Sequence, residues 1–323
     1  MKILITGAAG MIGSRLAARL LVEGTLGGRA ISRMVLHDVA APVVPPSAIP
    51  VSTVAGDLAD PGTIAALIVD RPDVIFHLAA IVSGQAEADL ALGYGVNLDG
   101  TRMLWDAIRV SGHAPRVVFA SSAAVFGGPF PDLVPDDFAP TPLSSYGAQK
   151  LIGEVLLADY SRRGFMDGIG LRLPTICVRP GLPNRAASSF FSSIIREPLV
   201  GQRAVLPVPD TWVHCHASPR AAVNFFLHAA AMDTGPLGGR RNLTMPGLTC
   251  TVAEQIAALG RVAPQATALI ERVEDPAVWA IVRTWARGFA ATRARDLGFQ
   301  AETSFDQIIA VHIEDALGGR IPG

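Results

Sequence analysis

A tyrosine and a lysine stand four residues apart in Tyr146-Gly147-Ala148-Gln149-Lys150, and an earlier apolar run, Val117-Val118-Phe119-Ala120, ends in Ser121-Ser122. Positions four apart share one face of a helix, so this spacing points the phenol and the ammonium group into the same space. A free phenol ionises at about pH 10 and is no base at neutral pH; a cation held beside it stabilises the phenolate and lowers that value. Ser122, at a strand end, can bind the oxygen that loses or gains the proton. Ser122, Tyr146 and Lys150 are therefore the candidate catalytic residues for proton transfer at an alcohol or carbonyl. A Tyr-x-x-x-Lys pair alone also occurs on helix faces that do no chemistry. Here it follows a glycine-rich turn, an acidic strand end and a Ser-Ser strand end, in that order.

The turn is Gly7-Ala8-Ala9-Gly10-Met11-Ile12-Gly13, which directly follows the first apolar run and opens a helical pattern near Met11. Gly7, Gly10 and Gly13 permit a tight turn, close approach of a pyrophosphate and close packing of helix on strand, while the helix start at Met11 and Ile12 offers free N–H groups to the anion. A plain strand-to-helix connection would use the same glycines. Asp38 ends the second run, where its carboxylate can accept from adenosine ribose hydroxyls and repel a 2′-phosphate, which favours NAD over NADP. Arg33 opposes that reading, since a nearby cation tolerates the extra phosphate. Asp57 and Leu58 close the third run, with Asp57 placed either to bond the adenine amino group or to serve a simple turn. Asp60 reads as the N-cap of a helix starting near Pro61.

These groups need a scaffold that brings strand ends together. Short β-branched runs at 2–5, 34–36, 51–54, 74–78, 116–120 and 168–173 alternate with helical spacing at 12–22, 61–68, 88–111 and 145–163. That alternation predicts an α/β fold, a doubly wound parallel sheet (Rossmann fold) with a smaller C-terminal substrate lobe. The predicted division is 1–176 for the dinucleotide domain and 177–323 for the substrate lobe, with segments near 212–245 returning to the former. Further helices are expected at 218–232 and 251–259. The stretch 127–142 holds five prolines and reads as a loop able to cover a site.

Composition removes other classes of function. Of 323 residues, 50% are hydrophobic and 17% charged, which excludes a disordered chain. The net charge of -1 arises from 27 basic and 28 acidic residues with no Lys/Arg block, so no nucleic-acid partner is expected. No run is long and apolar enough for a membrane span, and the N-terminal run is too short for a signal peptide. Cys177, Cys215 and Cys250 are odd in number and widely spaced, which suits free thiols in a reducing cytoplasm. His214 and His216 alternate, but Cys215 would face away and no acidic residue completes a ligand set, so no metal is expected.

Through Thr6 to Gly13, His77-Leu78-Ala79-Ala80, Val96-Asn97-Leu98-Asp99-Gly100-Thr101, Ser121 to Gly127, Tyr146 to Lys150 and Arg293 to Phe299, the chain resembles the extended short-chain dehydrogenases/reductases of the NAD-dependent epimerase/dehydratase family. The resemblance spans essentially the whole chain. It implies NAD as cofactor, Ser122, Tyr146 and Lys150 as the catalytic set, Asn97 as support for the central helix, and Leu78, Ala79 and Ala80 as cofactor lining, with Pro174 and Ile176 added to that lining. Sugar-nucleotide epimerases of the family carry Tyr where Phe126 stands and Phe-Asn where Pro174-Thr175 stands. The segments from Arg172 to Gly181 and His214 to Arg220 look instead like the branch that oxidises small 2-hydroxy sugar acids such as D-erythronate. Arg179 suits a carboxylate, since a planar guanidinium binds it in bidentate fashion. Ser83, Phe126, Thr175 and His216 join Ser122 and Tyr146 as further candidate substrate contacts. The competing readings are an NAD-retaining nucleotide-sugar epimerase or dehydratase and a non-catalytic NAD-binding scaffold. The resemblance also suggests a cytoplasmic homodimer formed through the helices at 88–111 and 145–163.

Overall fold

The computed structural model describes residues 1–181 and 187–322. Contacts divide the chain into two units: Met1–Val125, Pro142–Leu173 and Val223–Leu243 form the first, and Phe126–Thr141, Pro174–Ala222 and Thr244–Gly323 the second.

The first unit is built on Lys2–Thr6 (β1), Arg33–Asp38 (β2), Val51–Ala55 (β3), Val74–His77 (β4), Arg116–Ser122 (β5), Asp167–Leu173 (β6) and Asn242–Thr244 (β7). Their order across the sheet is β7-β6-β5-β4-β1-β2-β3, and β1 to β6 run parallel. Such a sheet is covered on both faces, which is why Ile3, Leu4, Ile5, Ile75, Phe76, Val117, Val118 and Phe119 are all buried rather than alternating with polar residues. After β3 the chain crosses to the other side of β1, and this reversal opens a crevice at the carboxyl ends of β1 and β4. Thr6, His77, Ser122 and Asp38 all stand at that end of their strands.

Four helices matter for the site: Met11–Glu23 (α1), Pro61–Ile68 (α2), Thr101–Ser111 (α3) and Ser145–Arg162 (α4). α2 starts because the Asp60 carboxylate accepts from both the N–H and the hydroxyl of Thr63, with Pro61 supplying a preset φ at the first position. α4 starts because Ser144 Oγ accepts from the Gly147 N–H at 3.1 Å. Leu4, Leu67, Ile75, Leu104, Trp105, Phe119 and Leu157 form one apolar cluster of this unit.

The single helix expected over 88–111 is interrupted. Leu90–Tyr94 is helical, Gly95–Gly100 widens into a π-helical turn, and α3 then resumes. Asn97 explains the interruption, because its amide bonds the Ile81 backbone twice, accepting from N–H at 2.7 Å and donating to C=O at 3.1 Å. Such widened turns are frequent at functional sites.

In the second unit, Thr175–Ile176 pairs in parallel with Val213–Ala217, which pairs antiparallel with Leu248–Thr251. Phe191, Ile194, Leu259, Ile308 and Ile309 are among its buried apolar residues. The proline-rich stretch Phe126–Thr141 belongs here: Val134 bridges Phe289, and the Asp136 carboxylate accepts from the Arg293 N–H. No helix among the described residues is long and apolar enough to cross a membrane.

The turn between β1 and α1 sets a test of the fold. A Cβ on Gly13 would lie 2.1 Å from the Gly7 carbonyl oxygen, whereas at Gly24, which ends α1 with φ +68, a Cβ would meet nothing within 4 Å. Gly13→Ala must displace backbone and is expected to cost about 1–3 kcal/mol, while Gly24→Ala costs only the left-handed strain of about 1 kcal/mol. Urea midpoints should fall further for Gly13→Ala; equal midpoints would contradict the packing.

Candidate active site

The first unit presents a backbone cradle. Gly7 adopts φ +75, and a Cβ there would sit 2.6 Å from the Ala79 nitrogen and 2.7 Å from the Leu78 carbonyl carbon, so Leu78 and Ala79 close over the turn at the end of β4. Gly10 caps α1 without a side-chain hydrogen bond, and no acidic residue occupies the first turn. The N–H groups at Met11, Ile12 and Gly13 therefore face no side-chain cap and no repelling charge, which fits a pyrophosphate.

Asp38 lies at the end of β2 beside this turn. Its Oδ2 accepts from the Ala9 N–H at 2.9 Å and its Oδ1 from the Val39 N–H at 2.8 Å. Those bonds fix the carboxylate and leave further lone pairs for ribose hydroxyls. Arg33, the cation that sequence proximity set against NAD selectivity, starts β2 opposite Lys2 and pairs with Asp70 at 3.1 Å. Five residues of extended strand separate it from Asp38, roughly 16 Å. It therefore stands at the opposite end of the strand, away from the crevice. Asp57 Oδ1 accepts from the Ala59 N–H at 2.8 Å, and Leu58 is buried in the core, so only its backbone is available to a ligand.

Tyr146 and Lys150 project from the first two turns of α4 toward the end of β5. Ser122 stands close enough to the Tyr146 phenol to favour its ionisation, and its Oγ accepts from the Ala124 N–H at 3.1 Å. Lys150 is buried, donates from Nζ to the Ala120 carbonyl at 2.8 Å, and lies 5.7 Å from the Tyr146 ring centroid and 4.9 Å from that of Phe119. Burial pushes the phenol up to about 12, opposed by Ser122. Burial likewise pushes the ammonium down to about 7, opposed by the Glu154 carboxylate. Burial thus works against the charged form of both groups, leaving Lys150 near balance and Tyr146 neutral, and added positive charge or hydrogen-bond donors must offset it for the phenolate to form.

A buried polar chain connects the cradle to this pair. Thr101 donates its hydroxyl to the Asn97 carbonyl at 2.8 Å, so it must accept from His77 Nε2 at 2.9 Å. His77 Nδ1 then accepts from the Thr6 hydroxyl at 2.8 Å. Burial, and secondarily Lys150 and His37, push the His77 ring down to about 3, which keeps it neutral. From Asn97 the chain continues through Nδ2 to Gln149 Oε1 at 2.7 Å, on the residue beside Lys150. Ser83 stands exposed at the start of the short helix Ser83–Ala88.

The structure brings Gly7, Gly10, Met11, Ile12, Gly13, Asp38, Asn97, Ser122, Tyr146 and Lys150 to one end of the first unit's sheet. Asp57, Leu58, Leu78, Ala79, Ala80 and Ser83 belong to the first unit as well, and Phe126, Pro174, Thr175, Ile176, Arg179 and His216 to the second. Phe126 is buried between Phe138 and Phe289, with ring centroids 6.0 and 5.9 Å away. Pro174 is buried and precedes Thr175, whose Oγ1 is 2.7 Å from His214 Nε2; Ile176 pairs with Ala217. Arg179 is held by its backbone, its N–H donating to Ser192 Oγ at 2.9 Å and its carbonyl accepting from Arg196 at 2.6 Å. Its guanidinium enters no ion pair among the described residues. His216 is fully buried, 2.8 Å from Gln255 Nε2, and packs against Phe191 and Phe305. Among the described residues no group of three or more His, Cys, Asp or Glu is placed to hold a metal ion.

Sequence reasoning overlooked Glu154 and the partners of His77. Tyr146, Lys150 and Glu154 recur every four residues, so the helical spacing itself carried the signal one turn further.

Known proteins resemble this chain in sequence and in fold. Residues 3–213 match the family model described as the NAD dependent epimerase/dehydratase family. A D-erythronate dehydrogenase of Cupriavidus necator is 52% identical over 98% of this chain and 99% of its own length. One of Haemophilus influenzae is 41% identical over 97% and 99%. The crystal structure of a protein named as the nucleoside-diphosphate-sugar epimerase from Agrobacterium tumefaciens superposes with a TM-score of 0.97 at 58% identity, covering 100% of this chain and 96% of that one. With its doubly wound sheet and glycine-rich cradle, the chain belongs to the NAD dependent epimerase/dehydratase family and is an NAD-dependent oxidoreductase.

Proposed function

We propose that this enzyme oxidises D-erythronate, or a closely related short 2-hydroxy sugar acid, to the 2-oxo acid. The observation that carries the reading is the buried amine of Lys150, 5.7 Å from the Tyr146 ring centroid, on a helix that sets both groups against the strand end bearing Ser122. Two full-length relatives named for that activity support the substrate class. NAD, when bound, supplies the hydride acceptor for C2 of the acid. Tyr146, as phenolate, takes the C2 hydroxyl proton; Ser122 orients that oxygen; Lys150 holds the phenolate against reprotonation. The turn from Gly7 to Gly13 would hold the pyrophosphate, Asp38 the adenosine ribose, Asp57 and the Leu58 backbone the adenine end, and Leu78, Ala79, Ala80, Asn97, Pro174 and Ile176 the remaining cofactor surface.

Recognition of the acid falls in this reading to the second unit, with Arg179 taking the carboxylate and Thr175 a hydroxyl, and to Ser83 in the first. Phe126 supplies apolar packing, and His216, buried and bonded to Gln255, acts from behind. Ile152 and Val155 on α4 and Val110 on α3 are exposed apolar residues, which supports a homodimer through these two helices. Three free, buried cysteines support a cytoplasmic location, to be checked by cell fractionation.

A nucleotide-sugar epimerase is the alternative, favoured by the name that the Agrobacterium protein carries. The purified protein with NAD, a panel of four-carbon and other aldonates, and UDP-sugars separates the two. Steady NADH formation with D-erythronate is expected, falling by about 10²- to 10⁴-fold in Tyr146→Phe while NAD binding persists. Inversion of a UDP-sugar without net NADH transfers the assignment to the epimerase, binding without turnover transfers it to a scaffold, and full activity in Tyr146→Phe removes the mechanism. Arg179→Met should raise KM for the acid roughly ten- to a hundredfold, the loss of one charged hydrogen-bonded pair, with kcat less affected; an unchanged KM takes Arg179 out of the site. Sedimentation should report a dimer that Val155→Glu dissociates, and a monomeric wild type would end that proposal.

A further inference from the structure

Lys150 is one of two lysines in the chain, the other being the exposed Lys2. Its immediate partners carry no negative charge: the Ala120 carbonyl and the Phe119 ring come from β5 and the Tyr146 ring from its own helix. His77 approaches from β4, but burial keeps that ring neutral. The carboxylate acting on Lys150 is Glu154, one helical turn further along α4 and 1% exposed. Glu154 is held in place from two strands. Its Oε1 accepts from Ser121 Oγ at 2.6 Å and from Arg172 Nε at 2.9 Å, and its Oε2 from Arg172 Nη2 at 2.7 Å.

We propose that Glu154 is a positioning residue of this site: its buried carboxylate, clamped by Ser121 and Arg172 one helical turn beyond Lys150, sets the field at that lysine and ties the strand end bearing Ser122 to the helix bearing Tyr146. The role rests on the reading of Ser122, Tyr146 and Lys150 as the working groups. Two features point to it. The clamp fixes the carboxylate by its far partners, so its charge acts on Lys150 as a preset field without direct competition for the Nζ protons. And Ser121, which donates to Glu154, precedes Ser122 directly, so the bond that anchors the carboxylate also fixes the start of the serine's peptide unit. Burial lowers Lys150 and Glu154 raises it, so removing the carboxylate leaves burial unopposed and Tyr146 facing a neutral amine.

Two lysines make the charge directly readable. In protein labelled with ¹³C at lysine Cε, Lys2 serves as an internal reference and Lys150 as the reporter. The wild-type Lys150 midpoint is expected at about 7. In Glu154→Gln it should fall by about one pH unit or more, a roughly tenfold change in proton affinity, with Lys2 unmoved. The kcat profile should then lose its alkaline side at correspondingly lower pH, and Glu154→Asp should restore part of both. A purely structural carboxylate would lower the melting temperature and leave the Lys150 midpoint where it was, and that result overturns the proposal. Should Glu154→Gln fail to fold because Arg172 is left uncompensated, comparing Glu154→Gln/Arg172→Met with Arg172→Met isolates the carboxylate's effect on the Lys150 midpoint, the cation being absent from both. A wild-type Lys150 already neutral at pH 5 would also overturn it. The titration needs no turnover, so a catalytically competent Tyr146→Phe would end the mechanistic reading while leaving this coupling independently measured.

Discussion

Lys150 carries a positive charge into the interior of the first unit, where water does not compensate it. The effective penalty for such a burial is several kcal/mol. A charge-assisted bond to the Ala120 carbonyl returns about 1.5–3 kcal/mol, and the ring of Phe119 returns about 0.5–2. These terms leave the ammonium near the balance between its two forms, which is where its midpoint of about 7 lies. The charge is costly because it is useful: in water it would be screened and would do little to a neighbouring phenol. The other parts of the site can be understood as what places, satisfies or exploits this one cation.

The sheet does the placing. Parallel strands end in register, so Thr6 stands beside both His37 and His77, and His77 beside Phe119, across adjacent strands. That row puts the glycine cradle and the Lys150 pocket on one rigid frame. The chain from Thr6 through His77, Thr101 and Asn97 to Gln149 runs behind it, with His77 held neutral so that no second charge competes. The widened turn at Gly95–Gly100 follows from the same demand, since Asn97 must reach the Ile81 backbone and Gln149 at once.

Most of the scaffold was legible in the sequence because a doubly wound sheet is written in local signals. Val117 to Ala120 reads as a buried strand, Asp60-Pro61 announces a helix start, and the glycine spacing marks a tight strand-to-helix turn, in which a Cβ at Gly7 or Gly13 would strike backbone. Tyr146 and Lys150 were legible because one helix carries both. What escaped depends on partners distant in the chain. Glu154 takes its meaning from Ser121 and Arg172, which reach it from two different strands. The break at Gly95–Gly100 depends on Ile81, and the helical spacing of 88–111 gives no hint of it. Arg33 looked close to Asp38 in sequence, yet a strand holds its two ends far apart. His216 alternates with His214 as a strand predicts, while its burial against Phe191 and Phe305 comes from helices elsewhere.

Catalysis turns on whether Tyr146 becomes a base when the pocket is filled. The chain has 3 tyrosines, so the ultraviolet difference between wild type and Tyr146→Phe isolates this phenol as pH is raised. Without ligand the phenolate band should emerge only toward about pH 12, where burial has pushed it. With saturating NAD it should emerge well below that, toward the neutral range. A phenol that still ionises at about 12 with the cofactor bound would contradict this mechanism, since no proton could then pass to Tyr146 at physiological pH.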